Sequence, residues 1–129
     1  MLTILHVSDL HFGPPYQEEV GEALLRFAFT LEPDLIVASG DFTQRGKEEQ
    51  FAAARAFLDR LPEAPLVTTP GNHDVPLYRV GERLFRPLEN YQRHISAELD
   101  TVTRLPEAVI VSLNSTAPRR AIVNGRIHR

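Results

Sequence analysis

The chain has 129 residues, of which 43% are hydrophobic and 24% charged, and this balance excludes an intrinsically disordered chain. Because cysteine is absent, disulfides, thiolate metal sites and a cysteine nucleophile are excluded. The net charge is −3, and no stretch approaches the roughly 20 apolar residues of a membrane helix, so we expect a cytoplasmic protein without membrane contact. Without lysine runs or basic stretches with interleaved aromatic residues, no nucleic-acid surface is expected either.

Short apolar runs alternate with amphipathic segments over the first part of the chain. Residues 2–7, 35–38 and 66–69 predict three buried strands. Apolar residues at helical spacing predict a helix over residues 17–30, and a second helix follows Gly46. The expected inner face of the first helix is Val20, Ala23, Leu24, Phe27, Ala28 and Leu31. This β-α-β-α-β order predicts an α/β fold with a parallel sheet and right-handed crossovers.

The pattern is less regular after Asp74. Residues 88–95 predict another short helix, and residues 108–113 form a fourth apolar run that ends in polar residues. His6 lies inside the first strand, and we expect it to be packed in the core.

Polar side chains follow each of the first three strands. They are Asp9 and His11 after the first, Asp41 after the second, and Asn72, His73 and Asp74 after the third. Because ligands of parallel α/β sheets gather at the carboxyl ends of the strands, we expect these side chains to meet there. Each motif alone is compatible with an ordinary cap or turn. Their joint occurrence at three strand ends favours a metal site.

The residue types indicate which metals would bind. Carboxylates with one imidazole, from Asp9, His11 and Asp41, suit Fe, Mn, Zn or Co, and Asn72 adds a neutral oxygen. The spacing is too wide for one ion, so a carboxylate shared by two ions about 3.5–4 Å apart would use these groups better. His73 need not bind metal, since an imidazole beside the site can protonate a leaving alkoxide, with Asp74 orienting it or raising its pKa.

Three motifs resemble, in order and spacing, the first three motifs of the calcineurin-like metallophosphoesterases. They are Asp9-x-His11, Gly40-Asp41 and Gly71-Asn72-His73-Asp74. Val75-Pro76-Leu77-Tyr78 and Leu113-Asn114-Ser115 resemble the branch that contains cyclic-nucleotide phosphodiesterases. The resemblance implies an α/β/β/α sandwich, of which this chain carries mainly the first sheet with its helices.

The same resemblance implies a role for each site residue. Asp9 and His11 would bind the first metal ion, Asp41 would bridge two divalent or trivalent ions, and Asn72 would bind the second. His73 would contact phosphate or protonate the leaving group, with Asp74 paired to it. The implied reaction is hydrolysis of a small phosphate ester, a cyclic nucleotide or another small diester, by a metal-bound hydroxide.

Two downstream motifs of that family, a histidine after a later strand and Gly-His-x-His, do not occur here, and neither His94 nor His128 matches them. We therefore expect a single domain over residues 1–129, truncated at its C-terminus, with one bound ion or none and weak or no activity alone. A second copy of the chain is expected to cover the open face of the sheet. The alternative is a non-catalytic interaction module that keeps the fold and purifies without metal.

Overall fold

The computed structural model describes residues 1–119 and 125–127, so His128 lies outside the described residues. In chain order the elements are β1 (Ile4–Ser8), α1 (Glu18–Leu31), β2 (Leu35–Ser39), α2 (Glu48–Leu58), β3 (Leu66–Thr69), α3 (Val80–Phe85), α4 (Glu89–His94), β4 (Thr101–Arg104) and β5 (Val109–Ser112). The described helices include none that is long and apolar enough to cross a membrane.

The first three strands form a parallel sheet in the order β1-β2-β3. Ser8 lies opposite Ser39, and Ser39 lies opposite Thr69, so the three strands end at one level. The predicted β-α-β-α-β arrangement is confirmed. Because of this register, the loops that follow the strands leave the sheet side by side.

The hydrophobic core packs against one face of this sheet, as the alternating burial of the residues in β1 shows. Leu5 and Val7 are buried in the hydrophobic cluster, whereas Ile4, His6 and Ser8 are exposed. The prediction of a core position for His6 is wrong, because alternate side chains of a strand point to opposite faces. The ring of His6 instead shares a 2.6 Å hydrogen bond between its Nε2 and the hydroxyl of Ser39.

Helix α1 packs on the core through a side that only partly matches the predicted one. Gly21, Leu25 and Ala28 are buried, while Val20 and Phe27 are exposed. The predicted face is confirmed for Leu24, Ala28 and Leu31, which belong to the core or pack against it, and is wrong for Val20, Ala23 and Phe27, which are exposed. A Cβ atom at position 21 would overlap the hydroxyl of Tyr16, so the absence of a side chain at Gly21 lets this side of α1 lie close to Tyr16.

Strands β4 and β5 form a separate antiparallel pair, in which Thr101 lies opposite Ser112. The pair confirms the fourth apolar run as a strand. It stands beside β3, where the hydroxyl of Ser112 donates to the carbonyl of Thr68 and the hydroxyl of Thr69 donates to the carbonyl of Leu113. Within the described residues, these two strands are the only ones outside the three-stranded sheet.

Tyr91 of α4 fixes the helical layer to the sheet. Its side chain is fully buried, and its ring lies near those of Phe42 and Phe51. Its hydroxyl donates a 2.8 Å hydrogen bond to the hydroxyl of Thr68 on β3. This hydrogen bond connects α4 to β3, the strand that leads into the loop of Asn72.

We expect Tyr91→Phe to lower the free energy of unfolding by about 1–2 kcal/mol, because the buried hydroxyl of Thr68 loses its donor. Urea unfolding followed by circular dichroism measures the change. Tyr78→Phe is the matched control, since the hydroxyl of Tyr78 is exposed. Equal losses of unfolding free energy in Tyr91→Phe and Tyr78→Phe would contradict a stabilising role for the hydrogen bond between Tyr91 and Thr68.

Candidate metal centre

Backbone hydrogen bonds bring the first two strand ends together. The amide of Asp9 donates to the carbonyl of Gly40 at 3.2 Å, and the amide of His11 donates to the carbonyl of Asp41 at 2.9 Å. The amide of Gly40 donates in turn to the carbonyl of Thr69 on β3. The predicted ligands therefore belong to one continuous surface at the carboxyl edge of the sheet.

The backbone of this surface is unusual. Asp9, His11 and Asp41 have φ angles of 56°, 49° and 52°, in the left-handed region that non-glycine residues rarely adopt. Glu32, which ends α1, is the other such residue in the described chain. Conformations of this kind each cost about 1–3 kcal/mol and cluster at functional sites. Here they coincide with the three side chains predicted to bind metal.

The three side chains converge on one point, with ligand atoms all within 4.8 Å of one another. Nε2 of His11 lies 3.7 Å from Oδ1 of Asp9 and 3.9 Å from Oδ2 of Asp41, both too long for hydrogen bonds. Atoms bound to one ion through bonds of about 2.1 Å stand about 3.0 Å apart when adjacent and about 4.2 Å apart when opposite. The two separations from His11 fall within this range, whereas 4.8 Å exceeds it, so the side chains would have to draw slightly closer to bind one ion.

Gly71, the residue before Asn72, lies directly against Asp41. A Cβ atom at position 71 would overlap the backbone nitrogen and carboxylate of Asp41. Asn72 is partly buried, and the hydrogen bonds found in the described part of the chain do not involve its side-chain amide. That amide is therefore available to a ligand.

His73 is held at the site by two hydrogen bonds. Its backbone amide donates to Oδ1 of Asp41 at 2.9 Å, and its Nδ1 lies 3.0 Å from the carbonyl oxygen of Gln44. Because a carbonyl can only accept, Nδ1 carries a proton in this arrangement and leaves Nε2 for a ligand. The ring meets that of His11 edge-on, with centroids 4.8 Å apart.

Asp74 does not support His73 in the way we predicted. Its carboxylate is 1% exposed and accepts hydrogen bonds from the amides of Phe42, Thr43 and Gly71 at 2.9–3.2 Å, and from the hydroxyl of Thr43 at 3.0 Å. A pairing with the imidazole of His73 does not occur among the hydrogen bonds of the described residues. Asp74 is a positioning residue, because it joins the loop of Asp41 to the loop of Asn72.

Burial raises the pKa of Asp74 to about 6, and its hydrogen bonds from Gly71, Thr43 and Phe42 act in the opposite direction. Sequence reasoning missed two of the residues in these contacts. Gln44 acts through its backbone carbonyl, which no side-chain pattern reveals, and Thr43 was hidden within a polar loop. The local signal for Thr43 was its position two residues after Asp41.

Residues 2–127 of the chain match the model of a protein family described as calcineurin-like phosphoesterase. The chain belongs to the calcineurin-like phosphoesterase family. Its parallel sheet, and the convergence of Asp9, His11 and Asp41 at the carboxyl edge, agree with that membership. The resemblance seen in the sequence motifs is thereby confirmed.

Three relatives show what this calcineurin-like phosphoesterase is similar to. The UDP-2,3-diacylglucosamine pyrophosphatases LpxG of Chlamydia muridarum and Chlamydia trachomatis are each 35% identical over 79 residues, which cover 60% of this chain and 24% of the relative. The glycerophosphodiester phosphodiesterase GpdQ of Enterobacter lignolyticus is 31% identical over 83 residues, covering 57% of this chain and 30% of the relative. The matches span less than a third of each relative.

Asp74 predicts a pH dependence of stability, because its folded-state pKa of about 6 exceeds its ordinary value of 3.8. Between these values the folded protein keeps a proton that the unfolded chain has released. Raising the pH across this interval therefore favours unfolding, and the free energy of unfolding should fall by about 3 kcal/mol relative to that of Asp74→Asn.

Urea unfolding of both proteins at several pH values, without metal, measures this difference. The carboxyl carbon shift of Asp74 in NMR spectra gives the pKa directly. The quantity compared is the free energy of unfolding of the unaltered protein minus that of Asp74→Asn. A value that stays constant or increases as the pH rises would contradict the raised pKa of Asp74.

Proposed function

We propose that this chain supplies the N-terminal part of a dinuclear metal centre that hydrolyses phosphodiesters. The observation that carries the proposal is the convergence of Asp9, His11 and Asp41, each held in a left-handed conformation. A backbone that serves packing alone has no need of three such residues at adjoining strand ends. Family membership supports the phosphoesterase chemistry.

The proposed ligands are those that the family resemblance implies, and the donor types and the convergence of Asp9, His11 and Asp41 support them. Asp9 and His11 hold the first ion, Asp41 is shared, and Asn72 holds the second. The oxygen and imidazole donors suit Fe, Mn, Zn or Co. Such ions activate water and stabilise charge on phosphoryl oxygens.

His73 is placed to move a proton. With Nδ1–H engaged by the carbonyl of Gln44, Nε2 is the remaining ring nitrogen, and it can donate to a phosphoryl or leaving oxygen only in the imidazolium form, which carries the second proton there. The bond from its amide to Asp41 fixes the imidazole relative to the shared ligand. Asp74 acts on the reaction only by holding both loops in place.

The names of the relatives favour a phosphorus atom that links two groups, since one is called a pyrophosphatase and another a phosphodiesterase. A cyclic nucleotide or another small diester is the substrate class that we propose. His94 lies beside Glu48 of α2 and is not among the described side chains that converge at the candidate centre. We therefore propose weak activity for this chain alone.

Asp41→Asn should weaken Mn²⁺ binding by more than about 100-fold. Changing a residue that only hydrogen-bonds to a metal ligand lowers metal affinity by about 10- to 100-fold, and the loss of a ligand should lower it further. His73→Gln should leave Mn²⁺ affinity unchanged, because its backbone amide still donates to Asp41. Electron paramagnetic resonance of free Mn²⁺ measures both affinities.

Asp59→Asn is the matched control for the charge change, since Asp59 is exposed and pairs with Arg55 on α2. Equal Mn²⁺ affinity in Asp41→Asn and the unaltered protein would contradict the proposal and favour an interaction module. Loss of Mn²⁺ from His73→Gln would show that His73 is itself a ligand.

Gly71→Ala should weaken Mn²⁺ binding by about tenfold, because the new methyl group displaces Asp41. Gly81→Ala is the control, since a Cβ atom there meets nothing within 4 Å. The same resonance measurement compares the two variants, and equal affinities would refute the close approach of Gly71 to Asp41.

A further inference from the structure

Helix α1 carries an apolar stripe that the folded chain leaves open. The stripe consists of residues at helical spacing, namely Val20, Ala23, Leu24 and Phe27. Val20 and Phe27 are 61% and 56% exposed, because the helix turns another side, that of Gly21 and Leu25, towards the core. Exposed apolar side chains that form a continuous stripe are typical of a surface that binds another molecule.

Strand β1 has an open edge. Among the described strands it pairs with β2 alone. The carbonyl of Thr3 and the amide of Asp9 form hydrogen bonds towards β2. Because successive backbone groups of a strand point to opposite edges, those of Ile4, His6 and Ser8 point to the open edge. They can pair with a strand of another chain.

A cavity of about 690 Å³ joins the stripe to the end of β1. Val20 and Leu24 line it from α1, and Val7 and Ser8 line it from β1. Asp9 of the candidate metal centre lines it as well. The stripe and the strand therefore border one space, and a partner on this side of the molecule reaches both.

The charges beside the stripe decide which partner fits. Glu19 and Arg26 lie seven residues apart, so they share one flank of the stripe, and both are exposed. Neither forms an ion pair with another side chain in the part of the chain that the structure describes. Parallel packing of two α1 helices places like charges opposite each other, whereas antiparallel packing brings Glu19 of each copy towards Arg26 of the other. This flank is complementary to itself, which favours a second copy of the chain.

We propose that two copies of the chain associate about a two-fold axis, with their β1 edges paired antiparallel and their α1 stripes packed together. The whole of β1, Ile4–Ser8, overlaps with its copy when the middle residue, His6, lies on the axis. This surface differs from the open face of the sheet, where we expected a second copy. It does not depend on the proposed function.

The strand contact and the helix contact are compatible with one axis. In a right-handed β-α-β crossover α1 runs antiparallel to β1, so the first half of α1 lies near the end of β1, at the cavity. The two-fold axis brings the second half of the other copy's α1 to this position. Phe27 of each copy then lies opposite Val20 of the other and fills the cavity beside its Asp9. Each copy thus completes one wall of the other's candidate metal centre.

Sedimentation equilibrium of the full chain, with a chelator present, tests the proposal. We expect a reversible equilibrium between monomer and dimer. Phe27→Gln should weaken the dimer by about 30-fold or more, because a buried aromatic side chain at the centre of an interface commonly has an effect of this size. Phe29→Gln is the matched control, since Phe29 is 58% exposed on a different side of the same helix. It should dimerise as the unaltered protein does.

A single introduced cysteine tests the position of the axis, because the chain has no cysteine of its own. Residues directly opposite each other in antiparallel strands have Cα atoms about 5.5 Å apart, within the range of a disulfide. His6→Cys should therefore form a disulfide-linked dimer rapidly with oxidised glutathione. Ile4→Cys is the control, since its two copies stand about 13 Å apart along the strands and cannot be linked.

Three results would overturn the proposal. One is a chain that stays monomeric at millimolar concentration, and another is equal dimer affinity in Phe27→Gln and Phe29→Gln. The third is disulfide formation as fast in Ile4→Cys as in His6→Cys, which would assign the contact to another surface, such as the open face of the sheet. Because these experiments contain no metal, the outcome is independent of Mn²⁺ binding.

Discussion

The buried carboxylate of Asp74 is the interaction on which the site depends. Its oxygens accept hydrogen bonds from the segment after Asp41 and from Gly71, which precedes Asn72. The two loops leave neighbouring strands, and His73 adds two further bonds between them, from its amide to Asp41 and to its carbonyl from the hydroxyl of Thr43. Burial of the charged carboxylate costs free energy, and the raised pKa of Asp74 reflects this cost. Four donors offset that cost and fix the loops together.

The fixed loops allow the backbone conformations that aim the side chains. Asp9, His11 and Asp41 each adopt a positive φ angle, and strained residues persist only where their surroundings determine them. The surroundings here are the equal ends of three parallel strands and the hydrogen bonds between the loops that follow. Fold and site are therefore connected directly, because the register of the sheet decides where the proposed ligands meet.

The first sheet could be predicted from the sequence because its apolar runs are short, β-branched and separated by amphipathic segments. The polar residues after each strand identified the edge where the proposed ligands converge. The inner face of α1 was predicted only in part, because apolar residues occupy two adjoining sides of the helix and Gly21, which an apolar pattern does not mark, lies on the buried side. Asp74 was misassigned for another reason: three of its four donors are backbone amides, which leave no trace in a side-chain pattern.

The central claim is that Asp9, His11 and Asp41 together bind a metal ion, and crystals of the chain grown with Mn²⁺ test it most directly. Anomalous scattering locates manganese independently of any assumption about its ligands. The account predicts an anomalous peak at about 2.2 Å from a carboxylate oxygen of Asp9, from Nε2 of His11 and from a carboxylate oxygen of Asp41. Saturating Mn²⁺ with no peak between these side chains would contradict it.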